Sequence, residues 1–150
     1  VKDTQSDLIF TPVPIDFVGL VWPEVEPLLK PATDASNGKY SVEGIYTGIL
    51  DGTYVLWLVL DQDDKIIAAG TSRLVYYSEQ RKAMSLDWIG GSRISEWMPN
   101  VHRAMVDYAR ENGCTHLEGY GRAAWGRYMA KYGWEPDHIA YKMELSNGIE

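Results

Sequence analysis

Seven consecutive apolar residues, Tyr-Val-Leu-Trp-Leu-Val-Leu at 54–60, leave no polar face. A strand of this kind belongs inside a sheet that is covered on both sides. Turn chemistry comes directly after it. Asp61-Gln-Asp-Asp64 reads as a hairpin, and Lys65 to Tyr77 as the return strand, with a pause at Ala69-Gly70. Ser78 to Lys82 turns again, and Met84 to Ile89 is the third strand of an antiparallel meander.

The covering helices are legible on either side. Asp16 to Lys30 carries Phe17, Leu20, Val21, Val25, Leu28 and Leu29 at helical spacing. Pro23 and Pro27 inside it predict a broken helix or two turns rather than a straight rod. Pro31 to Lys39 is a loop, and Ser41 caps a helix to about Leu50. Before them, Asp7 to Val13 is a short edge strand ending at prolines.

A Gly90-Gly91 turn hands the third meander strand to a helix of about Ser95 to Asn112. Its stripe of Ile94, Trp97, Met98, Val101, Met105, Tyr108 and Ala109 is core. Pro99 is tolerated in a first turn, which puts the start between Ser95 and Pro99, and Gly113 is the C-terminal cap. A strand at Thr115 to Tyr120, a short helix at Ala123 to Tyr132 stopped by Gly133, and an alternating strand at His138 to Leu145 complete the chain. The expectation is one α+β domain over 1–150: a mixed, mostly antiparallel sheet of about six strands flanked by about four helices.

Charge narrows the function. The net charge is −7, whereas a general nucleic-acid binder needs a basic surface. Residues 1–64 hold eleven acids against three bases, and Val101 to Lys131 hold five bases against three acids. The arginines of that second segment are either a solvated helix face or a local anion site. No apolar run approaches the roughly 20 residues of a membrane span, and the polar, acidic N-terminus is unlike a signal peptide. Cys114 is the single cysteine, so no disulfide or thiolate metal site is expected and a cytoplasmic setting fits. His102, His116 and His138 lack metal-ligand spacing. Trp57, Trp97 and Trp125 fall at core-facing positions, while Trp22, Trp88 and Trp134 are the tryptophans expected to reach the surface.

The order strand, two helices, meander, long helix, strand, short helix, Gly-aromatic, strand resembles the GNAT acyltransferase superfamily over nearly the whole chain. Tyr-Met-Ala-Lys-Tyr-Gly-Trp-Glu-Pro at 128–136 is the most specific piece. Together with Trp22-Pro-Glu-Val-Glu-Pro, Ile67-Ala-Ala-Gly-Thr and Gly121-Arg-Ala-Ala-Trp-Gly-Arg, it is similar to small GNAT-like proteins encoded by tailed phages.

The resemblance implies acetyl-CoA in a V between the third meander strand and the strand after the long helix. Its pyrophosphate would sit on the long helix N-terminus, where backbone N–H groups and the helix dipole favour anions. The family's loop there reads Arg/Gln-x-x-Gly-x-Gly/Ala. Here Ile89, Gly90, Gly91, Ser92 and Arg93 stand in its place with the glycines first, so the segment is either an anion pocket or a tight turn with no ligand. Arg122 and Arg127 are further candidates for the nucleotide phosphates.

Many family members use a tyrosine four residues before the Gly-aromatic pair to protonate the departing thiolate. That position is Met129 here, and a thioether donates no proton. Tyr128 and Tyr132 flank it, about 100° and 300° away around a helix. The base that takes the amine's proton would be Asp87, Glu118 or Glu79. The resemblance leaves two functions open. One is acetyl transfer to a small-molecule or protein amine. The other is a non-catalytic phage protein of this fold, in the virion or in contact with a host protein, as a monomer or an oligomer of like chains. Trp22 and Trp88 exposed on one patch would favour the second, and an open V the first.

Overall fold

In a computed structural model of the chain, residues 8–145 are described, and they divide into two compact units at Gly119/Tyr120. The first unit runs β1 (Ile9–Pro12), α1 (Ile15–Asp34), α2 (Val42–Leu50), β2 (Val55–Leu60), β3 (Ile66–Ser78), β4 (Arg81–Gly91), α3 (Ile94–Glu111) and β5 (His116–Glu118). Its sheet has the order β1-β2-β3-β4-β5. The first three pairings are antiparallel and β4–β5 is parallel.

The apolar run became the interior strand β2. Leu56 and Leu58 pack with Val18, Val25 and Leu29 of α1 and Val42, Ile45 and Ile49 of α2. On the opposite face, Trp57 lies against the cluster of Met84 from β4 and Met105 and Ala109 from α3. Ser41 caps α2 as expected, its hydroxyl accepting the Gly44 N–H at 3.1 Å. Gly113 follows α3 at φ 74°, the left-handed conformation that ends helices.

Three expectations change. First, α1 is one helix of 20 residues that takes in Pro31 to Asp34, despite Pro23, Pro27 and Pro31 inside it. The prolines recur every fourth residue, so they share one face, and all three are exposed. The carbonyls that lose helical partners belong to Gly19, Pro23 and Pro27. They lie on that same exposed side, where water satisfies them.

Second, α3 starts at Ile94, which makes Pro99 its sixth residue rather than a first-turn residue. The chain enters α3 through Arg93 at φ 61°.

Third, among the described residues the sheet has five strands, close to the six expected, and the last expected strand is the one missing. Residues 138–145 form no strand, and Ile139, Tyr141, Met143 and Leu145 are exposed. Their alternation satisfied the strand pattern, but a strand also requires a hydrogen-bonded neighbour, which the pattern does not specify. Asp7, the first residue of the expected N-terminal strand, lies outside the described residues.

The second unit holds α4 (Ala123–Met129), continued by one 3-10 turn at Ala130–Tyr132. Gly133 at φ 94° ends it, as expected from the sequence.

Candidate active site

The parallel pairing of β4 with β5 is three residues long: Ala83 with His116, Met84 with Leu117, Ser85 with Glu118. β4 continues six residues past Ser85 to Gly91, and among the described residues no strand pairs with it on that side. The pairing therefore stops at Ser85 and Glu118, the crotch of a fork whose described arm is the open edge of β4 past Ser85. A free strand edge presents unpaired backbone N–H and C=O groups to an extended, amide-bearing ligand.

A bulge shapes the open arm. Gly70 faces Ile89 and Ser72 faces Leu86, so Asp87 and Trp88 together oppose Thr71. The extra residue turns Leu86 and Ile89 to the same side. There they line a cavity of about 40 Å³ with Trp97, Val101 and Met105 of α3. Trp88 turns the other way into the α1–α2 core, edge-on to Tyr40 at 4.9 Å. Thr71 Oγ1 and Trp88 Nε1 are buried without a hydrogen-bond partner among the described residues.

Alternation on adjacent strands brings Arg73, Tyr77, Ser85, Asp87, His116 and Glu118 to one face. Asp87 accepts from Arg73 Nε at 2.6 Å and from Ser85 Oγ at 2.5 Å, with its side chain 7% exposed. Glu118 accepts from the Tyr77 hydroxyl at 2.5 Å, and its other oxygen lies 2.9 Å from His116 Nε2. Between them on this face, Ala83 and Ser85 are small and fully buried, so the longer side chains of β3 and β5 lie across them.

The two carboxylates differ. Asp87 is neutralised by a guanidinium, whereas the partners of Glu118 are a phenol and an imidazole. Glu118 thus has the less compensated charge and, at 16% side-chain exposure, the more open position. Glu79 lies in the exposed β3–β4 turn.

The strand-to-helix segment differs from the expected cradle. Gly90 and Gly91 are not a turn but the end of β4, facing Ala69 and Ala68. Both glycines are needed for close packing. A Cβ on Gly90 would stand 1.8 Å from the Leu28 carbonyl oxygen of α1, and one on Gly91 2.4 Å from that of Ile67. The Ser92 N–H is given to Ile67 O at 2.9 Å, and its carbonyl takes the Trp97 indole N–H at 2.7 Å. Arg93 forks onto Glu96, with both bonds at 2.9 Å. That pairing raises the guanidinium above its ordinary value and lowers the Glu96 carboxyl.

In the second unit, Arg122 precedes α4 and Arg127 lies in its last turn, both exposed. Lys131 Nζ sits 4.4 Å from the Tyr128 ring centre and 5.5 Å from that of Tyr132. Desolvation, and then Tyr128, push the Tyr132 phenol above its ordinary value, which makes it a weaker proton donor.

Arg73, Ser85, Tyr77 and His116 were not read from the sequence as site residues. The signal was present as i, i+2 pairs, Ser85 with Asp87 and His116 with Glu118, each of which shares a strand face.

No family model matches this chain, and no curated protein sequence matches it. Solved structures do. A tetramutant protein from Bacillus halodurans superposes with a TM-score of 0.71 at 13% identity, over 91% of this chain and 99% of that one. An aminoglycoside acetyltransferase from an uncultured soil metagenomic sample superposes at 0.68 with 10% identity, over 96% and 100%. The aminoglycoside 6'-N-acetyltransferase of Acinetobacter baumannii does so at 0.66 with 13% identity, over 93% and 99%.

The fold is that of GNAT acetyltransferases. At these identities the likeness establishes the architecture of the chain, and function has to be argued from the site. Among the described residues no helix is long and apolar enough to cross a membrane.

The fork fits the arm of a CoA thioester, since β4 past Ser85 offers an open backbone edge. The diphosphate half has less to bind than the GNAT loop pattern implies. The Ser92 N–H is given to Ile67 O and the Glu96 N–H to Arg93 O, both at 2.9 Å, which leaves the Ile94 and Ser95 N–H groups at the start of α3.

Proposed function

We propose that the chain is an acetyl-CoA-dependent N-acyltransferase with Glu118 as its base. The observation that carries this reading is the fork, with an open β4 edge and a carboxylate at its crotch. In a GNAT architecture, acetyl-CoA supplies the activated acyl group. The β4 edge at 86–89 would hold its arm and the first turn of α3 its phosphates. Glu118 would accept the proton that the amine sheds as its nitrogen bonds to the acetyl carbonyl and the C–S bond breaks to release CoA as a thiolate, and the Ser85–Asp87–Arg73 cluster would fix the strand that carries the crotch. The acceptor would be a small-molecule or protein amine. The eleven acids of residues 1–64 favour a cationic one by electrostatic attraction. We assign the reaction to the cytoplasm, that of the host if a phage encodes the chain.

Calorimetric titration with acetyl-CoA and CoA, followed by thiol release with a panel of polyamines and aminosugars, tests the reading. Micromolar binding and turnover that drops by about 10²-fold or more in Glu118→Gln are expected. A folded protein that gives no heat at millimolar ligand would overturn it.

The second reading, a non-catalytic phage protein working through a protein partner, draws support from the Ser92 N–H, which is already given to Ile67 O. It draws none from the tryptophans, because Trp88 is 9% exposed and belongs to the core, while Trp22 is half-buried against Tyr46 at 4.6 Å.

A further inference from the structure

We infer that His116 is a positioning residue that holds Glu118 at the fork from a neutral imidazole protonated on Nε2. Its catalytic meaning rests on the acyl-transfer reading above. The argument is one of donors and acceptors. His116 Nδ1 lies 3.2 Å from an Arg81 guanidinium nitrogen and 3.1 Å from Thr115 Oγ1. A guanidinium has donors only, so that contact requires a lone pair on Nδ1. The Thr115 hydroxyl is compatible with this, because its single proton can turn to Nδ1 or to the Lys82 carbonyl at 3.1 Å.

With Nδ1 as acceptor, the proton of a neutral imidazole is on Nε2, where Glu118 Oε1 receives it at 2.9 Å. The other Glu118 oxygen receives the Tyr77 hydroxyl. Glu118 is therefore held at both oxygens by uncharged donors. Its orientation is fixed and its charge is not cancelled, in contrast to Asp87 beside Arg73. The stack of the Tyr77 and His116 rings, 6.2 Å between centres and 21° between planes, ties the two donors together.

An imidazolium would have the opposite effect. It would turn a proton on Nδ1 toward Arg81 and cancel the Glu118 charge. The groups facing His116 are Arg81, Thr115, Tyr77 and Glu118, and of these the guanidinium is the one that a proton on Nδ1 would meet.

The test is long-range ¹H–¹⁵N correlation spectroscopy on the ¹⁵N-labelled full chain at neutral pH, with the His116 signals assigned by their loss in His116→Gln. The expected result is one protonated nitrogen, Nε2, in a single tautomer. Two protonated nitrogens or a proton on Nδ1 would each overturn the inference, whatever the activity of the protein.

Kinetics supply a second arm, with acetyl transfer to spermidine as the probe. His116→Ala is expected to lower kcat about tenfold with the KM for acetyl-CoA unchanged. His116→Gln, which keeps an N–H donor, should recover part of that loss. Equal losses in both variants would count against positioning. A wild-type protein inactive on every amine would sink the acyltransferase reading, while the spectra would still decide the state of His116.

Discussion

Arg73 Nε and Asp87 Oδ2 stand 2.6 Å apart on the diagonal of the β3–β4 ladder, since the residue directly opposite Arg73 is Ser85. With the Asp87 side chain 7% exposed, removing the guanidinium leaves a buried carboxylate with only a hydroxyl partner. Arg73→Met is expected to cost about 2–4 kcal/mol of stability, and Arg73→Met with Asp87→Leu to recover much of it, because an uncompensated buried charge costs more than a missing pair. Urea titrations of the two single variants and the double variant check this. A loss in the double variant as large as in Arg73→Met would show that the charge is not the cause.

Gly90→Ala places a Cβ 1.8 Å from a backbone carbonyl of α1, where no side chain can rotate away. Overpacking against main chain forces α1 and β4 apart, with an expected loss of about 3 kcal/mol or more. Gly126→Ala, where a Cβ would meet nothing within 4 Å, serves as the control. The midpoints of chemical denaturation should separate the two variants widely.

Ser41→Ala removes the hydroxyl that accepts the Gly44 N–H at the start of α2. The expected cost is about 1 kcal/mol, with Ser41→Asp close to wild type because a carboxylate also caps and suits the helix dipole. A thermal melt series of the three proteins decides it.

His102 on α3 is half-buried, and desolvation holds its imidazole below the ordinary value of about 6.5. The unfolded chain then binds this proton at a higher pH than the native one does. Its contribution to stability is full above the unfolded value. It declines as pH falls from there toward the folded value, then levels. His102→Gln should flatten that part of the stability–pH curve, measured by urea titration at a series of pH values. A curve steeper than wild type would contradict the sign.

The strands and helices of the first unit were legible because their signals are local. The apolar run at 54–60, Ser41 ahead of its helix and Gly113 behind another each dictate a structure within a few residues. The fork was legible only through resemblance, because which strand pairs with which is a non-local fact. The role of Gly90 lay hidden for the same reason. The residue that demands a glycine is Leu28, more than sixty positions earlier. The three prolines of α1 do not break it, because their shared spacing puts all their missing bonds on the wet side. Asp87 and Glu118 could be named as acids from the sequence. Their difference could not, since it depends on Arg73 and Tyr77 arriving from another strand, β3.

The unpaired segment at 138–145 bears on how the protein behaves as a colloid. Four apolar side chains, 70% to 88% exposed, alternate with Ala140, Lys142 and Glu144, which is the pattern of an adhesive strand. Lys142 and Glu144 interrupt it with charge, and a net charge of −7 sets neighbouring molecules against one another. Dispersal in solution therefore depends on electrostatic repulsion. Concentrated stocks should turn cloudy when acid titrates the carboxylates or concentrated salt screens them, and should clear when the added salt is dialysed away.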